Sequence, residues 1–294
     1  MNELINAFLG VLVGTYIAGS IYSLIAMGLS MLWTTVNLVN FGHGAVLVTG
    51  AYVAWFFAVA TGFPPLMVLA IPVMFLFGLL IDRGAFRIIR YQEDAGLRLI
   101  LVTLSMAIVL EQTLYVVFSG VYKRIPIILA EGSTTIGTVS IFNHYIVAGL
   151  VAILVLVVTY LILTRTITGI AIRSIGQNMQ ESLAVGVNVE RSYSLTVAVG
   201  FALAGVAGML LGSMYSFNPV FGRAPLLIGY IITVLGGLGN IKGTIYASYL
   251  VAAIESLTLF LIGGAWRIAI PFMMMIIILI IRPRGLFGIK EEAR

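Results

Sequence analysis

Residues 5–32 read INAFLGVLVGTYIAGSIYSLIAMGLSML, and they lie in a run from residue 4 to residue 81 that contains no Asp, Glu, Lys or Arg. An α-helix rises about 1.5 Å per residue, so about 20 apolar residues cross the hydrocarbon core of a bilayer. The stretch is therefore long enough to span a membrane as a tilted helix. A run of this length without charge cannot form the surface of a soluble domain.

The composition of the whole chain supports the same conclusion. Of 294 residues, 61% are hydrophobic and 9% are charged, whereas soluble domains carry about 25% charged residues. The hydrophobic residues suffice for about nine membrane spans. The apolar runs do not alternate with polar residues, as the strands of a membrane β-barrel do. We therefore predict an all-α, polytopic membrane protein in which residues 1–294 form a single transmembrane domain.

The positions of the spans follow from apolar stretches bounded by charge, Gly and Pro. We expect helices near residues 5–32, 45–60, 65–81, 99–119, 144–164, 193–215, 224–238, 244–262 and 267–281. The second stretch is short, and polar or small residues precede it: Asn37, Asn40, Gly42, His43 and Gly44. A broken or re-entrant helix there would reduce the count, so the prediction is 8–9 transmembrane helices.

The basic residues between the spans predict the orientation, because Lys and Arg are retained on the cytoplasmic side. One side collects twelve of them: Arg83, Arg87, Arg90, Arg98, Arg165, Arg173, Arg191, Lys242, Arg282, Arg284, Lys290 and Arg294. The other side collects four: Lys123, Arg124, Arg223 and Arg267. The first side is therefore predicted to be cytoplasmic, and nine crossings place the N-terminus outside. Topology explains the net charge of +5 better than nucleic-acid binding does.

Two segments between spans are long enough to have a role of their own. Residues 120–143, on the outer side, are rich in turn formers and suit a cap over the bundle. Residues 165–192, on the cytoplasmic side, mix apolar and polar residues in a pattern compatible with short amphipathic helices. A polar helix that projects from a membrane bundle is typical of a docking element, so this segment is a candidate contact for a cytoplasmic partner.

The sequence lacks the motifs of common enzyme classes. The glycine-rich string at residues 236–244 has its Lys before the Gly and lacks the spacing of a phosphate-binding loop, so the chain is not expected to bind ATP. The chain has two His and no Cys, which excludes a multi-histidine or thiolate metal site and a cysteine nucleophile. We therefore expect neither a catalytic site nor a metal site.

Two carboxyl residues, Glu111 and Glu255, fall inside apolar stretches and keep a second class of function open. Ionisable groups at membrane depth are typical of ion-coupled secondary transporters. The alternative is that each carboxyl, protonated or hydrogen-bonded, faces a neighbouring helix or the membrane interface. No Asp, Lys or Arg is expected beside either one within the membrane.

Small residues recur at helical spacing in two spans. Gly200, Ala204, Gly208 and Gly212 repeat every four positions, and Gly10, Gly14 and Ala18 do so in the first span. Membrane helices pack closely where such residues line one face. We expect these two helices to be buried in the bundle, with the glycines serving helix packing rather than solute contact.

Several strings together resemble one family. Residues 19–30 (GSIYSLIAMGLS), 36–44 (VNLVNFGHG) and 50–52 (GAY) are similar to the N-terminal signature of the permeases of branched-chain amino acid ABC transporters, the LivH-like subunits. Residues 169–173 (GIAIR), with the later Asn178, Glu181, Ala184, Gly186, Val187 and Asn188, resemble the segment that couples these permeases to their ATPases. Residues 236–243 (GGLGNIKG) and 282–288 (RPRGLFG) resemble two further family strings. The departures, at Gly42, Ser174, Thr244 and Ser248, exchange one small residue for another.

The resemblance implies an inner-membrane permease subunit of an ABC importer of the LivH/LivM type, in a bacterium or archaeon. Such a subunit would pair with a homologous permease or with itself and would dock on two cytoplasmic ATPase subunits, which bind ATP and Mg²⁺. An extracytoplasmic binding protein would deliver branched-chain or related amino acids. Relatives with this signature also serve urea and short amides, so the solute stays open between these classes.

The resemblance also suggests roles for particular residues. In the coupling segment these are Gly169, Arg173, Glu181, Ala184 and Gly186, the two charged side chains contacting the ATPase and the small residues permitting close approach. Before the second span, Asn37, Asn40, His43 and Gly44 either line the translocation path or hold a broken helix, because polar groups at membrane depth need a cavity or a partner.

Overall fold

The computed structural model describes residues 2–126, 132–137 and 139–288. Twelve α-helices account for most of this part of the chain, joined by short 3-10 segments, one π-helical turn and one β-hairpin. In chain order the elements are α1 Asn2–Val36, α2 His43–Ala60, a 3-10 turn Pro64–Leu69, α3 Ala70–Ile81, a π-turn Asp82–Phe86, α4 Arg87–Arg90, α5 Ala95–Phe118, β1 Ser133–Ile136, β2 Val139–Phe142, α6 Asn143–Arg165, α7 Ile167–Gln177, α8 Met179–Ala184, α9 Val189–Met214, α10 Arg223–Leu235, α11 Ile241–Leu261, a 3-10 turn Gly264–Trp266 and α12 Ala269–Ile281.

Eight helical segments among the described residues are long and apolar enough to cross a membrane. A ninth apolar helix, α10, is shorter. The prediction of a polytopic helical protein with 8–9 transmembrane helices is thereby confirmed. The choice between eight and nine depends on whether a 13-residue helix is counted as a crossing.

The ends of the helices gather at two opposite ends of the bundle. At the first, which we call the basic end, Thr34 of α1 lies against both Gly176 of α7 and Gly239 before α11. Arg87 of α4 pairs with Glu190 of α9 at the same end, with 2.9 Å between Nε and Oε2. At the opposite end, Tyr52 of α2 stacks on Phe118 of α5, and the backbone of Lys123 pairs with that of Phe217 after α9. The loops that the charge count assigned to the cytoplasm thus share one end.

Helix α9 and the second half of α1 form the centre of the bundle, and small residues allow their close packing. The expectation that the whole first span is buried is wrong for its first half, where Gly10, Gly14 and Ala18 are only partly buried. Helix α9 contacts α1, α2 and α3, and most of its residues from Thr196 to Met214 are buried. A Cβ atom at Gly208 would overlap the carbonyl oxygen of Leu47, and one at Gly212 would lie 3.0 Å from the Phe217 ring. A Cβ atom at Gly200 would lie 3.4 Å from the carbonyl oxygen of Gly28 in α1. Helix α9 is thus held at distances that larger side chains would prevent.

The segment after α5 contains a β-hairpin. Strands β1 and β2 pair from Ser133 with Phe142 to Ile136 with Val139. Ahead of it the chain crosses the end of α9, where the Ile125 N–H donates to the Gly212 carbonyl over 3.0 Å. The sequence predicted a cap over the bundle at residues 120–143; within that range, residues 127–131 and 138 lie outside the described residues. The hairpin is an addition to the predicted all-α fold.

Candidate functional site

Two half-helices begin inside the membrane-spanning bundle and define its centre. After α1 ends, the chain turns back through residues 37–42 before α2 begins, and after α9 it turns back through residues 215–222 before α10 begins. The backbones of Gly44 and Gly222 touch at this point, so that a Cβ atom on either would collide with the other's carbonyl group. The N-termini of α2 and α10 therefore meet, and the two helices run to opposite ends of the bundle.

The two breaks share a local structure and a short sequence. Gly42 and Gly222 each cap a half-helix with right-handed backbone angles, φ −77° and φ −71°. The sequence reads Phe-Gly-His at residues 41–43 and Phe-Gly-Arg at residues 221–223. Because α2 runs toward the outer end and α10 toward the basic end, the two breaks form an inverted repeat. Sequence analysis anticipated a break only before α2, although the repeated Phe-Gly pair marked the second one.

The polar residues singled out before α2 are mostly buried. Asn37 has a left-handed backbone, φ +52°, a conformation that asparagine tolerates, and it is exposed where α1 ends. Asn40 is fully buried, and its side-chain oxygen accepts a 3.0 Å hydrogen bond from the Gly42 N–H. His43 is also fully buried, with its ring against the backbone of Gly28. Asn40 thus shapes the broken helix, while contact of these residues with solute stays a prediction.

Glu111 forms an ion pair with a residue of another helix. Its two carboxylate oxygens accept hydrogen bonds from the Nε and Nη2 atoms of Arg223, at 3.2 Å and 2.6 Å. The Glu111 side chain is 12% exposed, whereas that of Arg223, the first residue of α10, is 68% exposed. The expectation that Glu111 lacks a basic partner is therefore wrong. The broken helix brings Arg223, assigned by the charge count to an outer loop, against the side of α5.

Glu255 also has a basic partner. Its carboxylate forms an ion pair with Arg267 and accepts a 3.0 Å hydrogen bond from the Tyr22 hydroxyl. The Glu255 side chain is buried, and a buried carboxylate is costly unless it is paired. The expectation of an isolated carboxyl is wrong here too, because α11 ends six residues after Glu255 and the chain folds back to place Arg267 beside it.

The predicted coupling segment forms two short helices at the basic end. Gly169 of α7 packs on the backbone of Leu163, at 2.5 Å from the position of an added Cβ, and Arg173 is half-buried. Asn178 caps α8 by accepting from the N–H groups of Gln180 and Glu181, at 3.0 Å and 3.2 Å. Ala184 ends α8. Gly169 thus allows α7 to pack closely on the end of α6, while α8 projects from the bundle.

The exposed surface of α7 and α8 carries several large apolar side chains. Five large apolar side chains are exposed there: Ile167, Ile170, Met179, Leu183 and Val185. Glu181, on the same helix as Leu183, is exposed as well. Gly186 follows with φ +83°, and a Cβ atom there would meet nothing within 4 Å. An apolar patch with a charged neighbour is typical of a protein-docking surface.

An ionic network that sequence analysis missed lies behind this surface. Asp82 is fully buried; it pairs with Arg90 and accepts a 2.5 Å hydrogen bond from the Ser194 hydroxyl. The Arg90 guanidinium lies 4.3 Å from the centre of the Tyr193 ring. The only signal in the sequence was the position of Asp82 at the end of an apolar span. The network ties the π-turn after α3 to the first turns of α9.

Comparison with known proteins agrees with this architecture. Residues 11–279 match the family described as the permease component of branched-chain amino acid transport systems. The chain is 31% identical to the high-affinity branched-chain amino acid transport system permease protein BraD of Pseudomonas aeruginosa, with 97% of each chain covered. It is 28% identical to the permease protein LivH of Escherichia coli, with 99% of each chain covered, and 28% identical to a probable LivH of Methanocaldococcus jannaschii, with 95% of this chain and 92% of that one covered.

No solved structure matches the chain. The family match extends over all nine apolar helices, including both half-helices and the two short helices at the basic end. The similarity to BraD and LivH extends over nearly the whole of each protein. The chain therefore belongs to the family of permease components of branched-chain amino acid transport systems.

Proposed function

We propose that this chain is the inner-membrane permease subunit of an ATP-driven importer for branched-chain or related amino acids. Family membership over residues 11–279 carries the proposal, and the relatives BraD and LivH are described as permeases of high-affinity branched-chain amino acid transport. Sequence analysis left urea and short amides open as solutes, and these relatives do not favour that alternative. An ion-coupled secondary transporter is not favoured either, because both intramembrane carboxylates that motivated it are paired with arginine.

The basic end supports an assembly with cytoplasmic ATPases. Its apolar patch on α7 and α8 is exposed, with Ile167 at 88% and Val185 at 78% exposure. An apolar helix face of this kind fits a groove on a partner protein. The partners we propose are two ATPase subunits, which bind ATP and Mg²⁺, at the basic end, and an extracytoplasmic solute-binding protein at the other end. The second permease is a homologue or another copy of this chain.

Two steps test the function. The tagged chain is solubilised in mild detergent and the proteins that stay bound are identified by mass spectrometry; we expect an ABC-type ATPase, with or without a second permease. The recovered complex, placed in liposomes with its binding protein and ATP inside, should then take up radiolabelled leucine. If the chain is recovered alone and transports leucine in liposomes without ATP, the proposal is wrong.

A further inference from the structure

The ion pair of Glu111 and Arg223 lies at membrane depth. Glu111 is 16 residues beyond Ala95 and seven before Phe118, the two ends of α5, which places it about 24 Å from the basic end of that helix and about 10 Å from the outer end. Arg223 begins α10 and is 12 residues from Leu235, a rise of about 18 Å. Compared with a hydrocarbon core about 30 Å thick, these distances place both residues at membrane depth, with Glu111 nearer the outer end.

The pair is nevertheless at the surface of the subunit, because 68% of the Arg223 side chain is exposed. A charged side chain exposed to lipid at this depth is strongly unfavourable, and such residues almost always face protein or a water-filled cavity. The exposed Arg223 guanidinium is thus expected to face water or protein rather than lipid.

Arg223 retains the capacity to bind an anion. A guanidinium has five N–H donors, and Glu111 engages two of them; in the part of the chain that the structure describes, no other group accepts from the remaining three. Its place at the N-terminus of a half-helix adds a favourable potential for negative charge. Ile108 and Tyr115, one turn from Glu111 on α5, are exposed at 62% and 56% and supply an apolar and aromatic border.

We propose that Arg223 lines the translocation path and binds the carboxylate of the amino acid in transit, with Glu111 as the positioning residue that holds the guanidinium. This inference rests on the proposed function, since an amino acid supplies the carboxylate and an aliphatic side chain suits the border. The contact is transient, because a path that must release its cargo cannot bind it tightly. The other occupant of this surface, a second permease subunit packed over the pair, is an outcome of the test.

Because the chain contains no cysteine, a single introduced thiol can test directly whether this surface is exposed to water. Ala224 is exposed beside Arg223, and Ala224→Cys places a thiol there with little change in size. Leu150→Cys is the matched control, because Leu150 is exposed on α6 seven residues from the start of that helix, a similar depth. In membrane vesicles that contain the complete transporter, each variant is treated with a water-soluble, membrane-impermeant thiol reagent, and leucine uptake is measured before and after.

We expect the Ala224→Cys thiol to react and the Leu150→Cys thiol not to react. Reaction at Ala224→Cys should lower leucine uptake about tenfold or more, because the adduct obstructs the contact between Arg223 and the carboxylate of the solute. A thiol at Ala224→Cys that is as unreactive as the control overturns the proposal, and so does full reaction with unchanged uptake.

A second variant separates solute binding from a structural ion pair. Replacing both partners, as Glu111→Met with Arg223→Met, removes the pair without leaving an unpaired charge, which for a purely structural pair is close to neutral. We expect the complex to assemble and leucine uptake to fall about tenfold or more. Uptake equal to that of the wild type, or loss of the second permease from the purified complex, overturns the proposal. If the double variant does not accumulate, the thiol labelling alone decides.

A single variant tests the positioning role. Glu111→Gln keeps one hydrogen-bond acceptor for Arg223 but loses the charge. We expect the maximal uptake rate to fall while the half-saturating concentration of solute-loaded binding protein stays unchanged, and an increase in that concentration alone contradicts the assignment.

If wild-type vesicles take up no branched-chain amino acid, the proposed function fails, whereas reactivity of the Ala224→Cys thiol still reports whether the surface is water-filled.

Discussion

The carboxylates inside the bundle each have an arginine partner. Glu255 has Arg267 and the Tyr22 hydroxyl as partners, and Glu111 has Arg223. A charge in an apolar interior is costly alone and tolerable when paired and hydrogen-bonded. The two pairs differ in exposure, since the Arg267 side chain is 39% exposed and that of Arg223 considerably more. We therefore assign a structural role to the pair at Glu255 and a transport role to the pair at Glu111.

The structural role of the Glu255 pair leads to a prediction. Arg267→Met leaves the buried Glu255 carboxylate with the Tyr22 hydroxyl as its partner, which we expect to lower stability by about 1–3 kcal/mol. Adding Glu255→Met should restore most of the loss, because it removes the unpaired charge. The measurement is the midpoint of thermal unfolding of the purified complex in detergent. If the double variant is as unstable as Arg267→Met alone, the carboxylate is not the cause.

The glycines of α9 act at the same scale, through close backbone contact. Gly208→Val should lower stability by about 1–3 kcal/mol through overpacking, because even a Cβ atom at this position overlaps the Leu47 carbonyl oxygen. Gly96→Val in α5 is the control, since an added Cβ there has no neighbour within 4 Å. Thermal unfolding of the two variants in the same detergent distinguishes them. Equal midpoints would show that α9 can move away from α2 without loss.

At the scale of elements, α7 and α8 form the part of the bundle best placed to contact a cytoplasmic partner. They expose apolar side chains, while the chain just beyond them enters α9, whose first turns bind the buried Asp82 and its neighbours through Ser194 and Glu190. The start of α9, which follows α8 in the chain, is thus connected through Asp82 to the π-turn after α3. Packed helices shift as units because interiors at native density do not deform continuously.

Substitution at Gly186 tests this docking surface. Gly186→Trp adds a bulky side chain beside α8 and also strains a left-handed residue by about 1–2 kcal/mol. Gly62→Trp is a closely matched control, because Gly62 has φ +64° with nothing within 4 Å but follows α2 at the opposite end of the bundle. We expect Gly186→Trp to reduce ATP-driven leucine uptake while the subunit stays in the membrane, and Gly62→Trp to leave uptake nearly unchanged. An equal loss in both variants would indicate backbone strain rather than lost coupling.

At the scale of the whole molecule, the two half-helices give the bundle an inverted repeat. Helices α1 and α9 each precede a break, and α2 and α10 diverge from the contact between Gly44 and Gly222. Irregular backbone inside a membrane occurs where it is buried in protein or lines a cavity, and repeats of this kind place such breaks near the middle of transporters. The arrangement suits alternating access, in which the two ends open in turn around a fixed centre.

The whole-molecule proposal also predicts the energy source. Uptake of leucine by the reconstituted complex should require ATP, and a protonophore or sodium ionophore should leave the initial rate unchanged. The physical reason is that neither intramembrane carboxylate is free to bind an ion, since each is engaged by an arginine. Initial rates of uptake with and without ATP and ionophore provide the check. Uptake that collapses with the ion gradient while ATP is present would contradict it.

Much of the architecture could be predicted from the sequence, because a membrane-spanning segment must be composed of apolar residues. Each span needs about 20 apolar residues, so the apolar stretches predicted the nine apolar helices, and the basic loops identified the segments that share one end. Helix α4 was not predicted, and α7 and α8 were expected only as short amphipathic helices. The turn before α2 was also visible, since Asn37, Asn40 and His43 interrupt an apolar region. Each of these features depends on the residues of one short segment and on whether that segment is surrounded by lipid or by water.

Contacts between distant residues were decided by the tertiary structure alone. Arg223 reaches Glu111 across 112 positions, and Ser194 reaches Asp82 across the same separation. A single sequence shows which side chains carry charge, but the pairing depends on where α9 returns and where the chain breaks again before α10. The sequence by itself thus determined a helical membrane bundle with a basic end, because the apolar residues of each span are enough to favour its place in lipid. The ion pairs and the central contact of the half-helices came from packing, because burial makes each unpaired charge costly and only the folded chain supplies its partner.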